Sequence, residues 1–157
     1  MTWIPKLITV TPALDTAIYA AGDTLFNTTE VDEALNKFAD RCVLNSIFLL
    51  DEDAQSAANN AMDLYLLRSN VSFGALNVAP NISDANAREI DAKVSFVAAD
   101  WSLVSGVAMA QKSNLWMNVR AIAGAKDLWI AGVVGAGAAP THTASGLKIK
   151  LGLLLRP

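Results

Sequence analysis

The sequence predicts an all-β fold, an antiparallel sandwich or barrel that forms one domain over residues 1–157. Three observations support this fold class. Apolar and polar residues alternate in several short segments, turn-forming residues separate those segments, and no helical pattern alternates with them. With 157 residues, the chain is long enough to bury a sizeable core. Folds built from alternating strands and helices are therefore disfavoured.

The first strands are predicted from runs rich in apolar and β-branched residues. In chain order these runs are KLITVT, GDTLFNTT, RCVLNSIFLLD, MDLYLLRS and DLWIAGVV, of which GDTLFNTT has the least regular pattern. Turn-formers such as Gly22-Asp23, Ser69-Asn70 and Gly124 lie between them. Together with the three segments described next, they predict about eight extended segments.

The last strand, GLKIKLGLLL, has the clearest alternation in the chain. One face carries Leu147, Ile149, Leu151, Leu153 and Leu155, and the other carries Lys148, Lys150, Gly152 and Leu154. A period of two with apolar residues on one side is typical of a strand that buries one face. The sequence therefore predicts that the first of these sets lies in the core.

Two further strands, KVSFVAADW and NLWMNVRA, show the same period. The residues predicted to point inward are Val94, Phe96 and Ala98 in the first strand, and Leu115, Met117, Val119 and Ala121 in the second. Trp116 then points outward. An outward tryptophan can stack on a sugar, anchor an interface or cover a neighbouring element, and the pattern leaves these three alternatives open.

Two stretches do not match a strand. SDANAREIDA begins with Ser83, a good helix N-cap, and continues with helix-tolerant residues, so it predicts one short helix. DEDAQSAANNAMD is compatible with a helical turn or with a polar loop.

Charge is sparse for a small domain. Apolar residues make up 53% of the chain and charged residues 17%, against about 25% in an ordinary domain. Association with other chains explains this better than a membrane, because a spanning helix needs about 20 consecutive apolar residues, which this sequence lacks. A homo-oligomer is expected, with Trp3, Ile4, Leu7 and Trp116 as candidate interface residues.

The remaining composition excludes several classes of partner and compartment. The net charge is −3, and no stripe of lysine or arginine is present, so nucleic-acid binding is not expected. The N-terminus lacks the pattern of a secretory leader, and the expectation is a protein made and kept in a cytoplasm. Cys42 is the only cysteine, which excludes an internal disulfide, and its apolar neighbours predict a buried thiol.

Candidate catalytic residues are few. His142, the only histidine, lies among small residues in GAGAAPTHTASG and is predicted to be solvent-exposed, with no catalytic or metal role. Replacing it with alanine is then expected to change stability by no more than about 0.5 kcal/mol. Asp51, Glu52 and Asp53 are predicted to form a solvated strand end. A glycosidase pair such as Glu89 with Asp100 stays open, since such a pair is defined by its separation in space. No cofactor motif is found, so neither a cofactor nor an enzyme is predicted.

Several phrases of the chain resemble a family of small structural proteins of tailed bacteriophages and prophages. They are ITVTPALDTAIYAAGDTL, SIFLLDEDAQSAANNAMDLYLLRSN, AREIDAKVSFVAADW and the C-terminal stretch that ends in PTHTASGLKIKLGLLL. The order of phrases matches over nearly the whole chain. His142 stands where the family phrase has an aromatic residue, and DLYLLRS differs in charge from the commoner family strand.

The resemblance implies a jelly-roll-like β domain that serves as a capsid decoration, or cement, protein. It implies a homotrimer bound to the major capsid protein, a location in the virion and no enzyme activity. Two alternatives remain. A tail or neck component would need similar apolar, symmetric interfaces, and a carbohydrate-binding jelly roll could attach virions to glycans through exposed tryptophan and asparagine side chains.

Overall fold

The computed structural model describes residues 2–35, 41–53 and 56–156. Within these ranges nine strands form two antiparallel sheets. The strands are β1 (Ile4–Val10), β2 (Thr24–Val31), β3 (Arg41–Asp51), β4 (Met62–Leu67), β5 (Ile90–Phe96), β6 (Trp101–Val104), β7 (Val107–Arg120), β8 (Leu128–Val134) and β9 (Leu147–Leu155). One short helix, α1, spans Asp84–Ala87, and two 3₁₀ turns span Ala57–Asn60 and Ala98–Asp100.

The strand pairing is that of a jelly roll. The five-stranded sheet has the order β1-β9-β3-β7-β6, and the four-stranded sheet has the order β2-β8-β4-β5. The first strand pairs with the last, β2 with β8, β3 with β7 and β4 with β5. The chain is thus one long antiparallel hairpin rolled into two facing sheets, and the predicted jelly-roll-like β-sandwich is confirmed.

The core lies between the sheets, where the sequence alternation places it. All five inward residues predicted for β9 are at most 2% exposed, and the residues between them are half-buried. In β7, Val119 is buried, while Leu115 and Met117 pack against the core as partly buried side chains. These predictions of side-chain direction are confirmed.

The four-stranded sheet buries part of its outer face as well. Phe73, in the connection between β4 and β5, is fully buried in a second apolar cluster with Leu67, Ala131 and Val133. Its ring lies 5.1 Å from that of Tyr65 on β4. Because both faces of β8 are covered, six of its seven residues are buried and the strand shows no alternation.

Four features bear on the remaining sequence predictions. Ala98, predicted to point inward, is exposed, because β5 ends at Phe96 and Ala98 begins a 3₁₀ turn. The predicted strand NLWMNVRA is the second half of the longer strand β7, which forms a hairpin with the unpredicted β6. The predicted cap is confirmed, since the Ser83 hydroxyl accepts a hydrogen bond from the amide of Asn86. In DEDAQSAANNAMD, residues 54–55 lie outside the described ranges, and the described part contains a 3₁₀ turn, Ala57–Asn60.

None of the helices in the described ranges is long and apolar enough to cross a bilayer.

Candidate functional site

The outer face of the five-stranded sheet carries three of the four candidate interface residues. Here "outer face" means Trp3 and the side chains of β1, β3, β7 and β9 that point away from the core. Leu7 on β1 pairs with Gly152 on β9, which in turn pairs with Ser46 on β3. Since Leu151 and Leu153 point inward, this row of residues points outward. Leu7 is 69% exposed, although a leucine is usually buried.

Trp3 and Ile4 lie at the start of this edge of the sheet but on opposite sides of it. Trp3 is half-buried, and its ring lies 5.7 Å from the guanidinium carbon of Arg156, the residue after β9. Ile4 shares its side of β1 with Ile8 and Val10, which pack into the core. It is nevertheless 46% exposed, at the first residue of an edge strand. Trp3 therefore belongs to the outer face and Ile4 does not.

Trp116 lies on the same outer face, in a bulge of β7. The register between β3 and β7 shifts between Leu44 and Ser46, and the extra residues of β7 include Asn114 and Trp116. Both have left-handed backbone conformations, with φ of 56° and 51°. Asparagine tolerates this region, whereas a bulky residue rarely adopts it. Trp116 is 58% exposed, so it points outward as predicted and covers little of the protein itself.

Apolar and charged side chains both occur on this face. Towards the end where Leu7 lies, β1 and β9 present Pro5 and Leu154 opposite each other. Towards the other end of β9, Lys148 lies 3.8 Å from the Glu52 carboxylate, and Lys150 lies 5.4 Å from the Phe48 ring. Leu7 and Trp116 lie on strands three spacings apart, which is about 14 Å across the sheet. Exposed Arg41 and Arg120 lie opposite each other towards the same end, so apolar and charged side chains occur together there.

A second group of functional interest lies where β3 ends. The His142 Nδ1 atom is 3.5 Å from Asp51 Oδ1 and 3.4 Å from Asp53 Oδ2. The His142 side chain is 3% exposed, that of Asp51 is 0% exposed and that of Asp53 is 10% exposed. The prediction of a solvent-exposed His142 is therefore wrong, and so is that of a solvated strand end at Asp51 and Asp53. Of the three acidic residues, only Glu52 is solvated as predicted, with a side chain that is 51% exposed.

The Asp53 carboxylate holds the connection between β8 and β9 in place. It accepts hydrogen bonds from the Thr143 amide at 2.9 Å and from the Thr143 hydroxyl at 2.8 Å. The amide of Glu52 donates to the carbonyl of Gly146 at 2.9 Å. A Cβ atom at Gly146 would overlap the Asp53 carboxylate, so a glycine is needed for this approach. These contacts hold the connection between β8 and β9, which carries His142, against the end of β3.

Tyr19 closes the group from the other side. Its ring is 6.2 Å from the His142 ring in an edge-to-face arrangement, and its amide donates to the carbonyl of Pro140 at 3.0 Å. The phenol donates to the carbonyl of Leu25 at 3.0 Å, and burial raises the pKa of Tyr19. His142 is thus enclosed by two parts of the chain that are distant from it in sequence, one at Tyr19 and one at Asp51 and Asp53.

The other candidates for chemistry are satisfied within the fold. Cys42 is buried as predicted, and burial raises the pKa of its thiol to about 12. Glu89 accepts hydrogen bonds from Arg68 and from Ser69. Asp100 pairs with Lys112 at 3.0 Å, and the amide of Val97 lowers the pKa of its carboxyl group. Both carboxylates thus have structural partners of their own.

Solved structures with a likeness to this chain include two from viruses. One is a chain of Desmodium yellow mottle tymovirus, with 12% identity and a TM-score of 0.30 over 99% of this chain and 82% of that chain. The other is a chain from the structure of infectious bursal disease virus Gx strain, with 14% identity and a TM-score of 0.30 over 96% of this chain. The alignment spans 32% of that second chain. No protein-family model and no curated protein matches this sequence.

Proposed function

We propose that this chain is a bacteriophage virion structural protein, a decoration protein that cements the capsid as a homotrimer on the major capsid protein. The observation that carries the proposal is the outer face, where Leu7 and Trp116 are 69% and 58% exposed on a rigid sheet. The other sheet covers part of its own outer face with the Phe73 cluster. The family resemblance of the sequence points to the same role.

Physical requirements of a cement protein fit this arrangement. Such a protein binds a repeating shell through a large, well-packed interface, and a stable interface buries about 800 Å² on each partner. Aromatic anchors at the centre of an interface contribute most of the binding energy. In this proposal Trp116, presented by the bulge of β7, is such an anchor. No catalysis is required for this role.

Binding to shells that lack the protein tests the proposal directly. Leu7→Ser and Trp116→Ala are each expected to weaken attachment to purified capsids at least tenfold, because each removes apolar area from the centre of the contact. Ile18→Ser is the matched control, since Ile18 is 66% exposed but lies in the connection between β1 and β2. Equal attachment by Leu7→Ser, Trp116→Ala and Ile18→Ser would exclude the outer face as the contact.

An exposed tryptophan also suits a carbohydrate-binding adhesion module. In that case purified protein binds glycans, and Trp116→Ala abolishes this binding while attachment to capsids is unchanged. A tail or neck component, the other alternative, has the same fold and differs in copy number.

A further inference from the structure

We propose that Asp51, Asp53 and His142 bind one divalent transition-metal ion, for which zinc is the best-fitting candidate. The proposal is independent of the virion role. It starts from His142, whose side chain is 3% exposed. No atom in the described part of the chain forms a hydrogen bond with its Nδ1, although this atom faces both carboxylates. A buried polar atom without a partner is rare, and a bound ion is one of its recognised explanations.

The two separations from His142 Nδ1 match the edges of a tetrahedral site. Zinc lies about 2.0–2.2 Å from nitrogen and carboxylate ligands, so ligand atoms of a tetrahedral site are about 3.3–3.5 Å apart. Nδ1 lies 3.5 Å from Asp51 Oδ1 and 3.4 Å from Asp53 Oδ2. Ligand atoms of all three residues lie within 4.8 Å of one another. Direct hydrogen bonds would bring the atoms closer, to about 2.7–3.2 Å.

The negative charges of Asp51 and Asp53 also favour a bound cation. Asp51 is completely buried, and its Oδ2 has no hydrogen-bond partner among the described residues. A buried carboxylate is costly unless an opposite charge or a metal accompanies it. The two carboxylates, of Asp51 and Asp53, together carry the two negative charges that balance a divalent cation, and the imidazole is a neutral ligand. The imidazole selects transition metals, because calcium and magnesium prefer oxygen ligands alone.

Neighbouring groups hold the ligands in orientation. Thr143 donates two hydrogen bonds to Asp53, and the amide of Asp53 donates to Asp51 Oδ1 at 3.0 Å. Such outer contacts are a regular feature of protein metal sites. Three protein ligands leave one position for water. The ion would join the end of β3 to the connection between β8 and β9 and so act as a structural clamp.

Zinc titration of tag-free protein, stripped with a chelator, tests the site. Calorimetry is expected to show one zinc ion per chain, and the melting temperature is expected to rise with zinc concentration. His142→Gln and Asp51→Asn should each lose saturable binding. Asp63→Asn is the matched control and should keep it, since the Asp63 carboxylate pairs with Lys93 on a neighbouring strand.

A measurement on the wild-type protein keeps the test decisive if those variants fail to fold. The chain has a single histidine, so the ¹⁵N NMR signals of its imidazole need no assignment. Zinc on Nδ1 leaves the proton on Nε2, and this tautomer should appear at one equivalent of zinc. A doubly protonated imidazolium that zinc does not change would overturn the proposal, as would wild-type protein without saturable zinc binding. Unchanged binding by folded His142→Gln would also overturn it.

Discussion

Cys42 illustrates how burial controls the chemistry of a single residue. It is 1% exposed, and the loss of hydration raises the pKa of its thiol from 9.0 to about 12. Only the thiolate is nucleophilic, so the thiol of the folded protein should not react with a thiol reagent at pH 8. Denatured protein, the control, should react completely. Rapid reaction of the folded protein would contradict the burial of Cys42.

The same shift has a consequence for stability. Between pH 9 and 12 the unfolded chain loses the thiol proton while the folded chain keeps it. The free energy of unfolding contributed by Cys42 is therefore complete below pH 9 and falls as the pH rises towards 12.

His142 is expected to stabilise the fold. Removing its imidazole leaves the buried Asp51 carboxylate without its neighbour, so His142→Ala should lower the free energy of unfolding by about 2 kcal/mol. This replaces the sequence-based expectation of a neutral substitution. Urea denaturation measures the effect, with Ser145→Ala, an exposed position of the same connection, as the control. Thr143→Ala is no neutral control, because Thr143 binds Asp53. Equal midpoints for His142→Ala and Ser145→Ala would contradict the burial of His142.

The surroundings of His142 could not be predicted from the sequence, because its partners lie about ninety positions away in the chain. No local spacing links Asp53 to Thr143, whose contact forms only when β3 and β9 pair. Small residues around His142 suggested exposure, whereas in the fold they allow a close approach of other segments. Gly146, beside the Asp53 carboxylate, is the clearest case.

At the scale of the element, the bulge in β7 carries backbone strain at Trp116. Trp116 has φ of 51°, a conformation that costs a side-chain-bearing residue about 1–2 kcal/mol. Trp116→Gly should therefore be more stable than Trp116→Ala by about 1 kcal/mol, although glycine is ordinarily the less stable residue in a strand. Urea denaturation of the two variants compares them directly. A less stable glycine variant would show that residue 116 is not left-handed.

Alternation in β9 gives a second element-scale prediction. Leu151 is 0% exposed, so Leu151→Asp should unfold the protein, because an unpaired buried charge costs several kcal/mol. Lys150→Ser, the next residue on the opposite face, should fold. Circular dichroism separates the two, and a folded Leu151→Asp would contradict the inward direction of Leu151.

Sequence patterns predicted elements where one face meets the core and the other meets water, as in β9. They were less informative for β8, whose residues are buried on both sides. The hairpin of β6 and β7 was missed, although Ser105 and Gly106 carry a signal for it. Both have positive φ, 49° and 87°, which is the requirement of a tight hairpin turn.

At the scale of the whole molecule, the N-terminus is part of the fold. Chain ends usually contribute little to stability, but β1 pairs with β9 along its whole length, from Ile4 opposite Leu155 to Val10 opposite Ile149. Deletion of residues 1–7 would therefore destabilise the protein as well as remove Leu7. Point substitutions on the outer face are the cleaner test of attachment.

We expect the outer face to take part also in the association of copies of this chain. Light scattering of the purified protein should give the mass of a trimer, and Leu7→Asp, on the outer face, should shift it towards a monomer. A stable monomer at high concentration that also fails to bind capsids would contradict both parts of the proposed assembly.

The stoichiometry of purified virus particles tests the central claim most directly. A decoration protein follows the symmetry of the shell, so the account predicts on the order of hundreds of copies per particle, in a fixed ratio to the major capsid protein. Quantitative mass spectrometry of intact particles measures this ratio. Absence of the chain from particles, or a count of about a dozen or fewer as in a tail or neck ring, would contradict the account.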